Sequence, residues 1–283
     1  MIASQRWLEL TGAQFKAHEA RRACAHLSNY TVEYTETGDG PPIVLVPGLA
    51  GGFELLGPLT QRLSRHFRVI SYQLRGEDNC FALRAGFGVV DLVKDLGEFL
   101  DWMRLESPIL FGLSFGGIIA LEFAARHPLR LSHLILQGTG ARLEPGLLPM
   151  VAGNVLSRYP LPADSPFVNQ FFNLFFGSAQ RKDGRFDFVT RECWKTDQSV
   201  MAHRFRLAEQ FDVQPRLERI RVPTLLLAGE RDVMVSPRGL EELKEGIDKA
   251  RIQPLPRLWA PGVRHSIPTW LPAASTVFLE DQQ

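Results

Sequence analysis

The pentapeptide Gly112-Leu113-Ser114-Phe115-Gly116 constrains this chain more than any other segment. It follows the apolar run Pro108-Ile109-Leu110-Phe111 and precedes Ile118-Ile119-Ala120-Leu121-Glu122-Phe123-Ala124-Ala125, which has a helical pattern. The order is strand, tight turn, helix. A serine on so sharp a turn projects its hydroxyl beyond the carboxyl end of a sheet, and glycines flank it because side chains there would strike neighbouring backbone. Ser114 is therefore the candidate nucleophile. Five such residues could also mark a turn that only packs a helix closely on a strand, so partners elsewhere in the chain decide between the two.

Those partners lie downstream. Val222 to Gly229 reads as a buried parallel strand whose end delivers Glu230-Arg231-Asp232-Val233 into a loop. Asp232 is the candidate acid; its bland role would be to cap the helix expected near Ser236-Pro237, and Glu230 competes with it as the orienting carboxylate. A second apolar run, Ile252 to Trp259, leads to Gly262-Val263-Arg264-His265, which makes His265 the candidate base. Among the other histidines, His127 and His133 flank a helix-to-strand corner at the wrong end of a sheet, and His66 precedes a strand. His203 is the rival, because it falls in a segment that could roof the site.

Acyl transfer also needs two backbone N–H groups aimed at the oxygen that becomes negative. Phe115, directly after Ser114, supplies one. The loop Pro47-Gly48-Leu49-Ala50-Gly51-Gly52, after the buried strand Ile43 to Val46, supplies the other, with Leu49 as donor. A phosphate-cradling loop is the competing reading, but no dinucleotide fingerprint follows and Pro47 lacks a donor.

Pro47-Gly48-Leu49, Tyr72-Gln73-Leu74-Arg75-Gly76, the elbow through Gly117, Asp232 and Gly262-Val263-Arg264-His265 together resemble the α/β-hydrolase family. The likeness is to its capped esterase and carbon–carbon hydrolase branch, over residues 28–280. The resemblance implies an α/β fold with a mostly parallel central sheet flanked by helices, and a helical cap inserted after the sixth strand. It also implies a Ser114, Asp232, His265 triad in the family's chain order. Two departures stand out. Members commonly carry His where this chain has Pro47, and Asp where it has Gln73; neither removes a catalytic group, but both weaken any transfer of substrate.

Strand and helix patterns alternate from Tyr30 to Gln137, which argues for a parallel sheet covered on both faces. Gln5 to His26 has helical spacing, so residues 1–27 are expected to form a helical extension. Residues 28–138 and 216–283 are assigned to the core and residues 139–215 to the cap. The cap segment is rich in Phe, and pairs such as Phe171 with Phe175 are four apart, so they share a helix face. Most of these rings are expected in the cap's own core; Phe171, Phe175, Trp194 and His203 are assigned to substrate binding. An apolar or aromatic acyl or alcohol group suits such a roof.

Composition narrows the partners. With a net charge of +1 and 45% hydrophobic residues in a 283-residue chain, nothing marks a nucleic-acid or anionic-membrane footprint, and one domain with an insertion can bury a full core. A small, near-neutral substrate is compatible. Cys24, Cys80 and Cys193 are odd in number and widely spaced, which suggests neither a disulfide framework nor a metal cluster, and no metal or organic cofactor is expected. Without a secretory-type leader or a long apolar run, the expected location is cytoplasmic.

The expected chemistry is hydrolysis of a small, largely apolar ester through an acyl-enzyme. One alternative keeps the triad but cleaves a C–C bond of a diketo acid, with Arg75, Arg158 or Arg204 holding the carboxylate. Another is a receptor-like member of the fold that binds ligand with little turnover.

Overall fold

A computed structural model describes residues 20–77, 86–144, 150–151, 153–154, 156, 191–193, 195–229 and 235–255. Among the described residues, eight strands form one sheet in the order β1-β2-β4-β3-β5-β6-β7-β8. They are β1 (Arg21–His26), β2 (Thr31–Thr37), β3 (Pro42–Val46), β4 (Arg68–Tyr72), β5 (Ile109–Leu113), β6 (His133–Gln137), β7 (Thr224–Gly229) and β8 (Ala250–Leu255). β1 and β2 are antiparallel to their neighbours, and every pairing from β4 through β8 is parallel. The described helices are α1 (Phe53–Leu63), α2 (Val89–Trp102), α3 (Phe115–Arg126), α4 (Gln198–Gln210) and α5 (Pro237–Gly246), with a 3₁₀ segment at Gln214–Arg219.

The strand sequences explain the layering. In β3, Ile43 and Leu45 face one side of the sheet and pack with Leu56, Leu59 and Leu63 of α1, while Val44 and Val46 join the cluster containing α2 and α3 on the other side. A strand apolar at every position is what a parallel sheet covered on both faces requires. α3 is buried almost all round, from Phe115 to Ala125, because it lies on the sheet and is itself covered by other elements. A bidentate pair joins Arg75, just after β4, to Asp95 of α2, with Nη2–Oδ1 at 2.7 Å and both side chains buried.

One expectation is corrected. The helical spacing of Gln5 to His26 does not hold at its end: Arg21–His26 is the edge strand β1, in register with β2 from Arg21↔Glu36 to His26↔Thr31. Helical spacing of polar and apolar residues is a weak preference over so short a stretch, and pairing with β2 overrides it. Ala25 drops into the main core while both arginines stay exposed, so residues 21–26 belong to the sheet rather than to a helical extension. Phe205 and Phe211, from the aromatic-rich segment, are buried, and Phe211 belongs to the main core.

Candidate active site

β3 and β5 lie side by side, with Ile43↔Ile109 through Val46↔Gly112 in register, so both end at the same level. β4 lies on the other side of β3, so the sheet's order reverses there. Loops leaving such neighbouring strands at the point of reversal frame a crevice beyond their carboxyl ends. The loop after β3 is Pro47 to Gly52, and the turn after β5 carries Ser114.

Ser114 has φ 50° and ψ −117°, a conformation that L-residues rarely adopt and that costs about 1–3 kcal/mol. Its surroundings hold it there. Ser114 N–H donates to the Gln137 carbonyl at 2.8 Å, and the Ser114 carbonyl accepts from Gly117 N–H at 2.8 Å and from Thr139 Oγ1 at 2.7 Å. Ser114 is exposed although the four residues after it are buried. Gly116 lets the turn close against β3, since a Cβ there would fall 2.1 Å from the Val46 carbonyl oxygen and 2.5 Å from that of Pro47.

The opposite wall is the loop after β3. A Cβ on Gly48 would lie 3.6 Å from Ser114 Cβ, so the loop stands in van der Waals range of the serine. Gly51 N–H donates to the Gly48 carbonyl at 3.0 Å, which closes a four-residue turn. In a trans peptide N–H and C=O point in opposite directions, so the Leu49 N–H points away from this internal bond. Phe115 opens α3, where first-turn N–H groups have no carbonyl within the helix. Ser114, Leu49 and Phe115, named separately from the sequence, lie together beyond the carboxyl ends of β3 and β5.

Behind this loop lies a buried charged network. Fully buried Arg204 of α4 donates from Nη1 to the Leu49 carbonyl at 2.9 Å, and from Nη2 to the Arg75 carbonyl at 2.8 Å and Glu77 Oε1 at 2.9 Å. Glu77 accepts in turn from Gly52 N–H and Leu74 N–H, both at 3.2 Å. Burial pushes the Glu77 carboxyl up, and Arg204 with those N–H groups pulls against the rise. Burial likewise raises Asp95 against the pull of Arg75. Thr196 Oγ1 donates to the Ala50 carbonyl.

His203, also on α4, donates from Nε2 to the Phe87 carbonyl at 2.7 Å and stands edge-on to the Phe87 ring at 4.5 Å. Asp232, His265, Phe171, Phe175 and Trp194 lie outside the described residues. The strands that lead to the first two are described: β7 ends at Gly229 and β8 at Leu255, parallel to β6 and hence to β5, so both chains leave at the same edge of the sheet as Ser114. Sequence reasoning missed Thr139 and Thr196, for which no spacing gives a signal. It noticed Arg204 only as a carboxylate binder for substrate; its carboxylate is Glu77.

This is the arrangement of a hydrolase built on a doubly covered, mostly parallel sheet, and comparison with known proteins agrees. Residues 41–254 match the alpha/beta hydrolase fold family, and the chain belongs to it. A protein of Azorhizobium caulinodans whose name assigns it carbamate hydrolysis, RutD, is 28% identical over 81% of this chain and 87% of its own length. The 2-hydroxy-6-oxo-6-phenylhexa-2,4-dienoate hydrolase of Comamonas testosteroni is 24% identical over 80% of this chain and 83% of its own. The solved enol-lactonase from Burkholderia xenovorans LB400 shares the fold at a TM-score of 0.74 and 22% identity, covering 92% of this chain and 98% of that one. Among the described residues, no helix is long and apolar enough to cross a membrane.

Proposed function

We propose that this hydrolase cleaves a small, largely apolar ester through an acyl-enzyme. Ser114 attacks the carbonyl carbon, His265 takes the serine proton and returns it to the leaving alcohol, and Asp232 orients the imidazole and stabilises its charged form. The Leu49 and Phe115 N–H groups hold the oxyanion. Water then repeats the sequence on the acyl-enzyme, and the acid departs. Residues 139–215 act as the cap, where Phe171, Phe175, Trp194 and His203 line the acyl or alcohol pocket.

The observation that carries this reading is the exposed Ser114, held at φ 50° beyond the carboxyl end of β5 with Gly48 against it. A relative named for carbamate hydrolysis fits as well, since a carbamate is also attacked at an acyl carbon. A second activity, C–C bond hydrolysis, is favoured by the relative named for a dienoate. Against it, Arg75 and Arg204 are engaged with Asp95 and Glu77, so neither stands ready for a substrate carboxylate.

The test is a fluorophosphonate probe with a panel of p-nitrophenyl esters. Labelling at Ser114, with turnover that Ser114→Ala abolishes while keeping its fold, supports the proposal. An unlabelled serine in an inactive wild-type protein points to the receptor-like alternative. Near-full turnover by Ser114→Ala would refute the nucleophile.

A further inference from the structure

The loop after β3 is gripped from outside the sheet. Two successive carbonyls, Leu49 and Ala50, accept hydrogen bonds from Arg204 and Thr196, both on the chain segment that returns toward β7. The next residues are held by the same network, because Gly52 N–H donates to the carboxylate that pairs with Arg204. With the Gly48 carbonyl fixed by Gly51 N–H, every peptide around the Leu49 N–H is then restrained. The bonds are partly buried, their donor side chains Arg204 and Thr196 are themselves buried, and one partner is a full charge, which makes them stronger than exposed neutral ones. None of them is needed to form the sheet.

We propose that Arg204 and Thr196 are positioning residues for the oxyanion hole, so that α4 and the loop from Pro47 to Gly52 behave as one unit and the Leu49 N–H is aimed before substrate arrives. This rests on the role given to Leu49 above. Preorganised donors matter because a donor that must reorient during the reaction returns part of its benefit. Arg204 reaches no reacting atom in this scheme. Its effect passes through the Leu49 carbonyl.

Two kinds of variant test this. Thr196→Val removes one hydroxyl, with Thr196→Ser as the conservative control; Arg204→Met with Glu77→Gln removes both charges together, so that neither is stranded. Deuterium uptake of the segment 47–52 and kinetics with a p-nitrophenyl ester are measured on full-length protein of native fold by circular dichroism. The expected result is faster uptake in 47–52, kcat lower by roughly 10- to 100-fold and KM within about twofold, with Thr196→Ser close to wild type. Unchanged uptake in folded variants overturns the proposal, as does faster uptake with kcat intact, or a loss confined to KM. If the paired variant does not fold, Thr196→Val decides alone. A wild-type protein that neither labels nor turns over would sink the esterase reading, while the uptake comparison still decides whether these residues fix the loop.

Discussion

Thr139 Oγ1 donates a 2.7 Å hydrogen bond to the carbonyl of Ser114, the residue whose own backbone is the most strained part of the elbow. Thr139 is 4% exposed and follows β6, so the strand beside β5 reaches across to hold the turn. Thr139→Val keeps the shape and removes the donor, leaving Gly117 N–H as partner to that carbonyl. A loss of about 1–2 kcal/mol in stability is expected, with ester turnover lower by about tenfold as the serine drifts from its attacking position. Thr139→Ser should recover most of both. Calorimetry and steady-state kinetics on the two variants check this, and equal damage in both would rule the hydroxyl out as the cause.

Gly116→Ala should be far more harmful than its position on a helix suggests. The new methyl would fall 2.1 Å and 2.5 Å from two backbone oxygens of the β3 end, and neither can rotate away. Separating α3 from β3 also disturbs the core beneath both, so a loss of about 3 kcal/mol or more is expected, read as a drop in the urea midpoint. A variant within about 1 kcal/mol of wild type would show that the elbow can shift bodily.

Much of this architecture was legible from residue patterns, and the exceptions have identifiable causes. The runs Ile43 to Val46 and Pro108 to Phe111 are too apolar to be anything but strands buried on both faces, and they place the crevice. The strand, turn and helix around Ser114 and the loop that meets it were legible because glycine spacing marks where backbone must pass close to backbone. Arg21–His26 was not, since an edge strand with one buried alanine lacks both the alternation and the apolar content that identify a strand. The partner of Arg204 was not legible for a different reason. Whether a buried arginine serves a substrate or a neighbouring glutamate depends on contacts across 127 residues of chain, which no local pattern encodes.

The pH dependence of stability should carry the sign of the buried Glu77. Burial raises its carboxyl above the ordinary 4.5, so the folded state binds that proton more tightly than the unfolded chain does. The stabilisation from protonation is therefore present at low pH and is lost as pH rises from 4.5 through the raised value. Asp95 titrates in the same direction, so the measurement is a difference: Tm of wild type minus Tm of Glu77→Gln across acid to neutral pH. That difference should fall with rising pH and then level. A rise would mean that the attraction of Arg204 outweighs burial.

Catalysis should respond to pH in the opposite sense. With His265 as the proposed base, only its neutral imidazole can accept the Ser114 proton, so kcat/KM should rise with pH through the ordinary histidine range, about 6.5. His265→Ala should abolish turnover. His203→Ala should retain it, because the Nε2 of His203 is committed to the Phe87 carbonyl. The reverse outcome would transfer the base to His203.

Substrate choice should follow apolar bulk rather than charge, if Phe171, Phe175 and Trp194 roof the pocket as proposed. Each methylene that fits is worth about 1–3 kcal/mol in discrimination, so kcat/KM should climb along a series of neutral esters until the roof is filled and then drop. Anionic diketo acids should be poor substrates, since bringing a carboxylate into an apolar pocket without a partner is costly and the guanidinium groups of Arg75 and Arg204 are already engaged with Asp95 and Glu77. The decisive comparison is kcat/KM for the neutral series beside one such acid. A strong preference for the acid, lost in Arg158→Ala, would replace the esterase assignment with C–C bond hydrolysis and locate its carboxylate site in the cap.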